Sequence, residues 1–178
     1  MAFWSDASGY EPKRAYRWIL YINGEDLDNI EDLTIPAYTI KKVSKPSFTV
    51  SESSHQFLNH TYYYPGRVEW STVSFTLVDP VSPDAAEKLN KMISNAGYIP
   101  GGSVDDFETM SKSKSMRALG KVRISQLDAD GLEVEEWTLH NAWIKDVKFG
   151  ELDYSSDDMV ETEVELRFDY ATHEANAV

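Results

Sequence analysis

Val160-Glu-Thr-Glu-Val-Glu-Leu-Arg-Phe-Asp-Tyr170 alternates without a break. Val160, Thr162, Val164, Leu166, Phe168 and Tyr170 share one parity, and Glu161, Glu163, Glu165, Arg167 and Asp169 share the other. Period-two alternation of this kind is the mark of a β-strand with one buried and one wet face. At about 3.3 Å per residue the run would span roughly 35 Å, well beyond the usual strand of about 5–6 residues. Such a length predicts a sheet that continues past the edge of one subunit. The wet face is almost wholly acidic, and that sign calls for a reason.

The rest of the chain supplies the setting. Its 178 residues suit one domain with a real core, and 42% hydrophobic with 12% aromatic residues exclude a disordered chain. Ten Tyr and five Trp favour β structure. A net charge of −13 argues against adhesion to nucleic acid or to an anionic membrane, both of which start from basic patches. It does not argue against nucleic acid passing close by without sticking. With no cysteine, a disulfide scaffold, a thiolate nucleophile and Cys-ligated zinc are all ruled out. No stretch approaches the roughly 20 apolar residues of a membrane span, and the first residues lack the apolar core of an export signal. A soluble protein made without a classical export signal is expected.

Outward from the final strand, the sequence predicts one domain over 16–171, preceded by an arm over 1–15 and followed by a tail over 172–178. The arm carries Phe3 and Trp4 without any period, either as a frayed end or as a docking element. Strands are expected over 16–23, 38–43, 47–51, 70–79, 122–127, 134–139, 143–149 and 160–170. One amphipathic helix near 83–96 carries its apolar stripe on Ala85, Ala86, Leu89, Met92, Ile93 and Ala96. Ser82 would cap it, Pro83 would stand at its first position and Gly97 would stop it. The Gly- and Ser-rich stretch 99–120 reads as a long mobile loop. The fold class is mainly β, two packed antiparallel sheets in a sandwich or barrel-like arrangement flanked by that helix.

A stretch at about 45–66 stands apart. Phe57, Leu58, Tyr62, Tyr63 and Tyr64 offer much apolar surface without core periodicity. It reads either as a hairpin projecting towards a neighbouring subunit or as a loop packed over its own core.

No catalytic motif is legible. Gly-rich phosphate loops, a nucleophile elbow and an HExxH helix are absent. Asp128 and Asp130 before Gly131 suggest a calcium loop, but position twelve of that pattern is Leu139, so turn chemistry is the better account. Acid pairs such as Glu163 and Glu165 would suit a carbohydrate-active hydrolase only if something separated their pKa values. No catalytic, cofactor or metal residue is assigned.

Several stretches together resemble the tail tube protein of contractile-tailed bacteriophages, the T4-like family: KKVSKPSF at 41–48, YYPGRVEWSTVSFTLVDPV at 63–81, QLDADG at 126–131 and EEWTLHNAWIKDVKFGELDYSSDDMVETEVELRFDYA at 135–171. The resemblance implies a structural subunit without enzymatic activity. It implies hexameric rings whose sheets join into one continuous inner barrel, stacked into a hollow tube inside a contractile sheath. Implied partners are further copies of itself, the sheath, the tape-measure protein and passing DNA in the lumen, and baseplate and terminator proteins. The implied location is the virion, after assembly in the host cytoplasm. The tube of a phage-derived injection or secretion system delivering protein is the alternative. On these grounds Phe57, Leu58, Tyr62, Tyr63, Tyr64, Phe3 and Trp4 are expected at subunit contacts. Glu161, Glu163, Glu165 and Asp169 are expected to face the lumen.

Overall fold

The computed structural model describes residues 12–23, 33–82, 84–99 and 109–175. Ten strands and two α-helices follow in chain order: β1 Trp18–Asn23, β2 Ile40–Val43, β3 Phe48–Phe57, β4 His60–Trp70, β5 Val73–Val78, α1 Ala85–Asn95, α2 Lys112–Leu119, β6 Lys121–Leu127, β7 Glu133–His140, β8 Trp143–Lys148, β9 Glu161–Arg167 and β10 Tyr170–Ala175. They form two four-stranded antiparallel sheets, β1-β6-β7-β10 and β2-β5-β9-β8, with β3 and β4 as a separate two-stranded sheet.

The core follows from the alternation. Leu20, Ile22, Val122, Ile124 and Leu139 of the first sheet share one buried cluster with Val73, Phe75, Leu77, Val164 and Leu166 of the second. Leu89 and Met92 of α1 and Leu119 of α2 join it. Inward-facing residues of two sheets interdigitating in this way are what hold a sandwich together.

The long run over 160–170 is one continuous period in sequence but two strands in space. β9 pairs with β5 and β8; β10 pairs with β7 in the other sheet. Thr162, Val164, Leu166 and Phe168 are buried as the parity requires, whereas Tyr170 lies exposed beyond the bend. The strand therefore does not need to leave the subunit: it turns the corner from one sheet to the other, a known route for strands that serve both layers. β7 and β8 make the same passage beside it through Asn141, which takes φ +57. The corner is tied by the Asp169 amide donating to the His140 carbonyl at 3.0 Å. The expected tail from 172 is likewise strand, since β10 runs to Ala175.

Both helices differ from expectation. α1 begins at Ala85, and Asp84 rather than Ser82 caps it, its carboxylate accepting the Glu87 amide at 2.9 Å. Asp79 takes two more of the free first-turn amides, from Ala85 and Ala86, which anchors the start where it is. At the other end Gly97, φ +107, donates to Ser94 and Tyr98 donates to Ile93, the paired bonds of a Schellman stop. The stretch 99–120, expected to be a loop throughout, contains α2. Ser111 caps it through the Lys114 amide, and Ser115, Ala118 and Leu119 are buried.

Candidate assembly surface

Every residue of β3 and β4 is exposed except Thr61 and Trp70, which are half-buried. Among the described residues, no third strand pairs with the hairpin and no layer covers either face. Its register decides what each face shows. His55 lies opposite Tyr62, Ser53 opposite Tyr64 and Phe57 opposite His60, so Phe57, Tyr62 and Tyr64 share one face. Tyr63, opposite Ser54, is on the other. The expected aromatic cluster is thus divided between two surfaces. Leu58 sits at the turn, 90% exposed, with φ +55, a left-handed conformation uncommon for a side chain of its size. Halfway along, Gly66 and Arg67 of β4 form a bulge opposite Ser51, whose hydroxyl accepts the Arg67 amide at 2.8 Å.

The hairpin root is rigidly seated. Phe48 meets Trp70 edge-on at 5.2 Å between ring centroids, and Trp70 meets Phe168 of the core at 5.8 Å. The Ser71 amide donates to the Ser47 carbonyl at 2.8 Å. Lys45, in the connection from β2 to β3, donates to Glu135 of β7 at 2.7 Å. Glu135 is buried, and it also accepts from Lys13 and from the Trp137 indole at 2.7 Å. Burial alone would raise its pKa, but the hydrogen bonds from Lys13, Lys45 and Trp137 outweigh that and lower it to about 2. It went unmarked in the sequence because its partners Lys13 and Lys45 lie 122 and 90 residues away.

A second surface is the outer face of β2-β5-β9-β8. Glu163 lies opposite Thr76 and Lys148, with Lys42 beyond Thr76, and Glu165 lies opposite Ser74 and Asp146. Lys148 reaches Glu163 at 3.4 Å, Lys145 reaches Glu165 at 3.0 Å and Lys41 pairs with Glu161. Lys41 and Lys145 are the extra residues of two β-bulges, which turn their side chains towards the acidic strand. The acidic wall expected from β9 alone is therefore a mixed-charge face once its neighbouring strands are in place. Among the described residues, none of the large exposed apolar side chains lies on it. Asp169 stands apart at the sheet corner, where Lys112 and Asn141 bind its carboxylate. Phe3 and Trp4 lie outside the described residues.

The Thr72 hydroxyl, then Lys145, hold the Glu165 carboxyl below the usual glutamate range, the reverse of what a proton donor needs. Asp128 spends its carboxylate on the Asp130 and Leu132 amides at 2.8 Å each, as a turn residue does.

The described residues thus form two packed sheets with a seated hairpin exposed on both faces and a polar, charge-balanced sheet face. The chain belongs to the family of the T4-like virus tail tube protein gp19, which it matches over residues 16–172. It is a tube subunit of a structural family. No curated protein sequence matches it. In fold it is similar to a chain of the anti-feeding prophage tube-terminating cap, with TM-score 0.67 and 15% identity, covering 99% of this chain and 100% of that one. A chain of the anti-feeding prophage baseplate gives TM-score 0.64 at 17% identity over 93% and 97%. A chain of the sheath-tube complex of an extracellular contractile injection system gives TM-score 0.63 at 16% identity over 97% of each.

Proposed function

We propose that copies of this subunit close into hexameric rings and that the rings stack into a hollow tube inside a contractile sheath, the conduit for phage genome delivery into the host. The observation that carries this reading is the β3–β4 hairpin, which bears apolar side chains on both faces and is covered by nothing among the described residues. Phe57, Leu58, Tyr62, Tyr63 and Tyr64 are its contact residues to the next subunit, with Phe3 and Trp4 of the arm as a second contact. Outer strands of the two sheets pair between neighbours into a continuous inner barrel, which removes free edges. Sheath, tape-measure, baseplate and terminator proteins are the other partners, and the tube is part of the virion after assembly in the host cytoplasm.

Glu161, Glu163 and Glu165 line the bore in this reading, and Asp169 lies at its margin. Six copies at −13 give a ring at −78. Lys41, Lys145 and Lys148 of the same sheet face are turned to glutamates, which opposes their binding DNA with release of counterions, and none of the large exposed apolar side chains of the described residues lies there to stick to. The same geometry would serve the tube of a phage-derived injection system, a reading favoured by the fold shared with such a sheath-tube complex. The neighbouring genes separate the two: capsid and terminase for a phage, effectors for an injection system.

The purified chain imaged by negative stain should show rings and hollow filaments at rising concentration. Leu58→Asp and Tyr63→Ser should keep the far-ultraviolet spectrum of the monomer and lose the filaments. Monomers alone under all conditions would sink the tube reading.

A further inference from the structure

One of the contacts that seat the hairpin root crosses between sheets. β2 and β5, on either side of the hairpin, belong to one sheet, and Glu135 belongs to the other. Its side chain is 8% exposed, yet both oxygens are occupied. Lys13 binds Oε2, while Lys45 Nζ and the Trp137 indole bind Oε1 at 2.7 Å each. His173 Nε2 of β10 lies 3.8 Å from Oε1. One carboxylate thus gathers the segment before β1, the hairpin root, its own strand and the neighbouring strand. A buried ion pair of this sort is a weak source of stability, because desolvation offsets much of the attraction. It is a strong source of geometry, because donors from several segments must converge on two oxygen atoms.

We infer that Glu135 is a positioning residue for assembly: through Lys45 it sets the angle at which the β3–β4 hairpin leaves the body. The inference rests on the reading above, in which the hairpin docks on a neighbouring copy. Leverage gives it force. A ten-residue strand carries the tip about 33 Å from its root. A change of about 10° at the root therefore moves Phe57 and Leu58 by roughly 6 Å, whereas close-packed surfaces respond to a change of a single methylene. Because Lys13 shares the carboxylate, the segment before β1 and the hairpin take their positions from one group.

The test compares wild type, Glu135→Gln, Lys45→Met and Lys45→Arg as full-length chains. Three readouts are needed: monomer thermal midpoint, hydrogen exchange over residues 44–57, and the concentration at which rings or filaments first sediment. Glu135→Gln and Lys45→Met should raise the assembly concentration by roughly tenfold or more. Exchange over 44–47 should quicken in both, and Lys45→Arg should assemble close to wild type. If Glu135→Gln fails to fold, Lys45→Met, altering a half-exposed side chain, carries the test alone. Wild type assembling with both variants at its own concentration overturns the role of Glu135 and leaves the tube reading intact. Wild type forming no rings overturns the tube reading itself, and this inference with it.

Discussion

Lys112 reaches from the first turn of α2 to Asp169 at the sheet corner, its Nζ 2.7 and 2.6 Å from the two carboxylate oxygens. Asn141 adds a bond of 2.7 Å from the β7–β8 turn. Burial of Ala118 and Leu119 seats the helix, and this pair adds a polar tie from its first turn to the corner.

Both partners are substantially exposed, so screening keeps the pair weak. A double-mutant cycle of Lys112→Ala with Asp169→Ala, read by chemical denaturation, should give a coupling of about 0.2–1 kcal/mol at neutral pH. The bonds from Lys112, then Asn141, hold the Asp169 carboxyl below its usual range. Its contribution is therefore full above the unfolded-state pKa and lost as pH falls through the lower folded one. A coupling that grows on acidification would contradict the assignment.

Glu135 sets a second pH window. Its folded pKa of about 2 lies below the ordinary 4.5. The stability difference between wild type and Glu135→Gln should be full above pH 4.5, on the order of 3 kcal/mol at most, and vanish as pH falls to about 2. Thermal unfolding of both chains across that range measures it. A pH-independent difference would mean that the carboxylate charge is not what the lysines recognise.

Gly97→Ala meets two obstacles. The backbone stands at φ +107, and a new Cβ would fall 2.6 Å from the Thr109 carbonyl oxygen. The expected loss is about 1–3 kcal/mol, seen as a lower thermal midpoint. An unchanged midpoint would show that the segment at Thr109 gives way freely.

Thr162→Val should stabilise. The Thr162 hydroxyl is fully buried opposite Leu77 and has no hydrogen-bonding partner among the described residues. An apolar side chain of the same shape removes that desolvated group, for a gain of about 1 kcal/mol. A loss on denaturant titration would mean that the hydroxyl is satisfied in solution.

The alternation of Val73, Phe75 and Leu77 and of Thr162, Val164 and Leu166 was readable because half-burial writes itself in period two. The bend after Phe168 was not, since the apolar/polar alternation of the sequence runs on through it while the buried parity passes from Phe168 to Ala171, and neither glycine nor proline marks it. α2 escaped notice because its buried face is built from Ser115, Ala118 and Leu119 in a Ser-Lys run that lacks an apolar stripe. The exposed hairpin aromatics stood out by their lack of core periodicity, but their division between two faces depends on the register set at the Leu58 turn. Glu135 shares parity with Trp137 and Leu139, so its inward direction was legible. Its lysines were not, because pairing across such sequence distances is a property of the folded chain.

At the sheet corner two stretches of backbone cross side by side, one through Asn141 and the other through Phe168 and Asp169, and a bond from the Asp169 amide to the His140 carbonyl joins them. Sandwich layers held by side-chain packing alone can shear past one another under a sideways push. Here any such slip would have to deform the backbone at two adjacent, hydrogen-bonded points, so a force entering one layer is passed to the other through the chain itself.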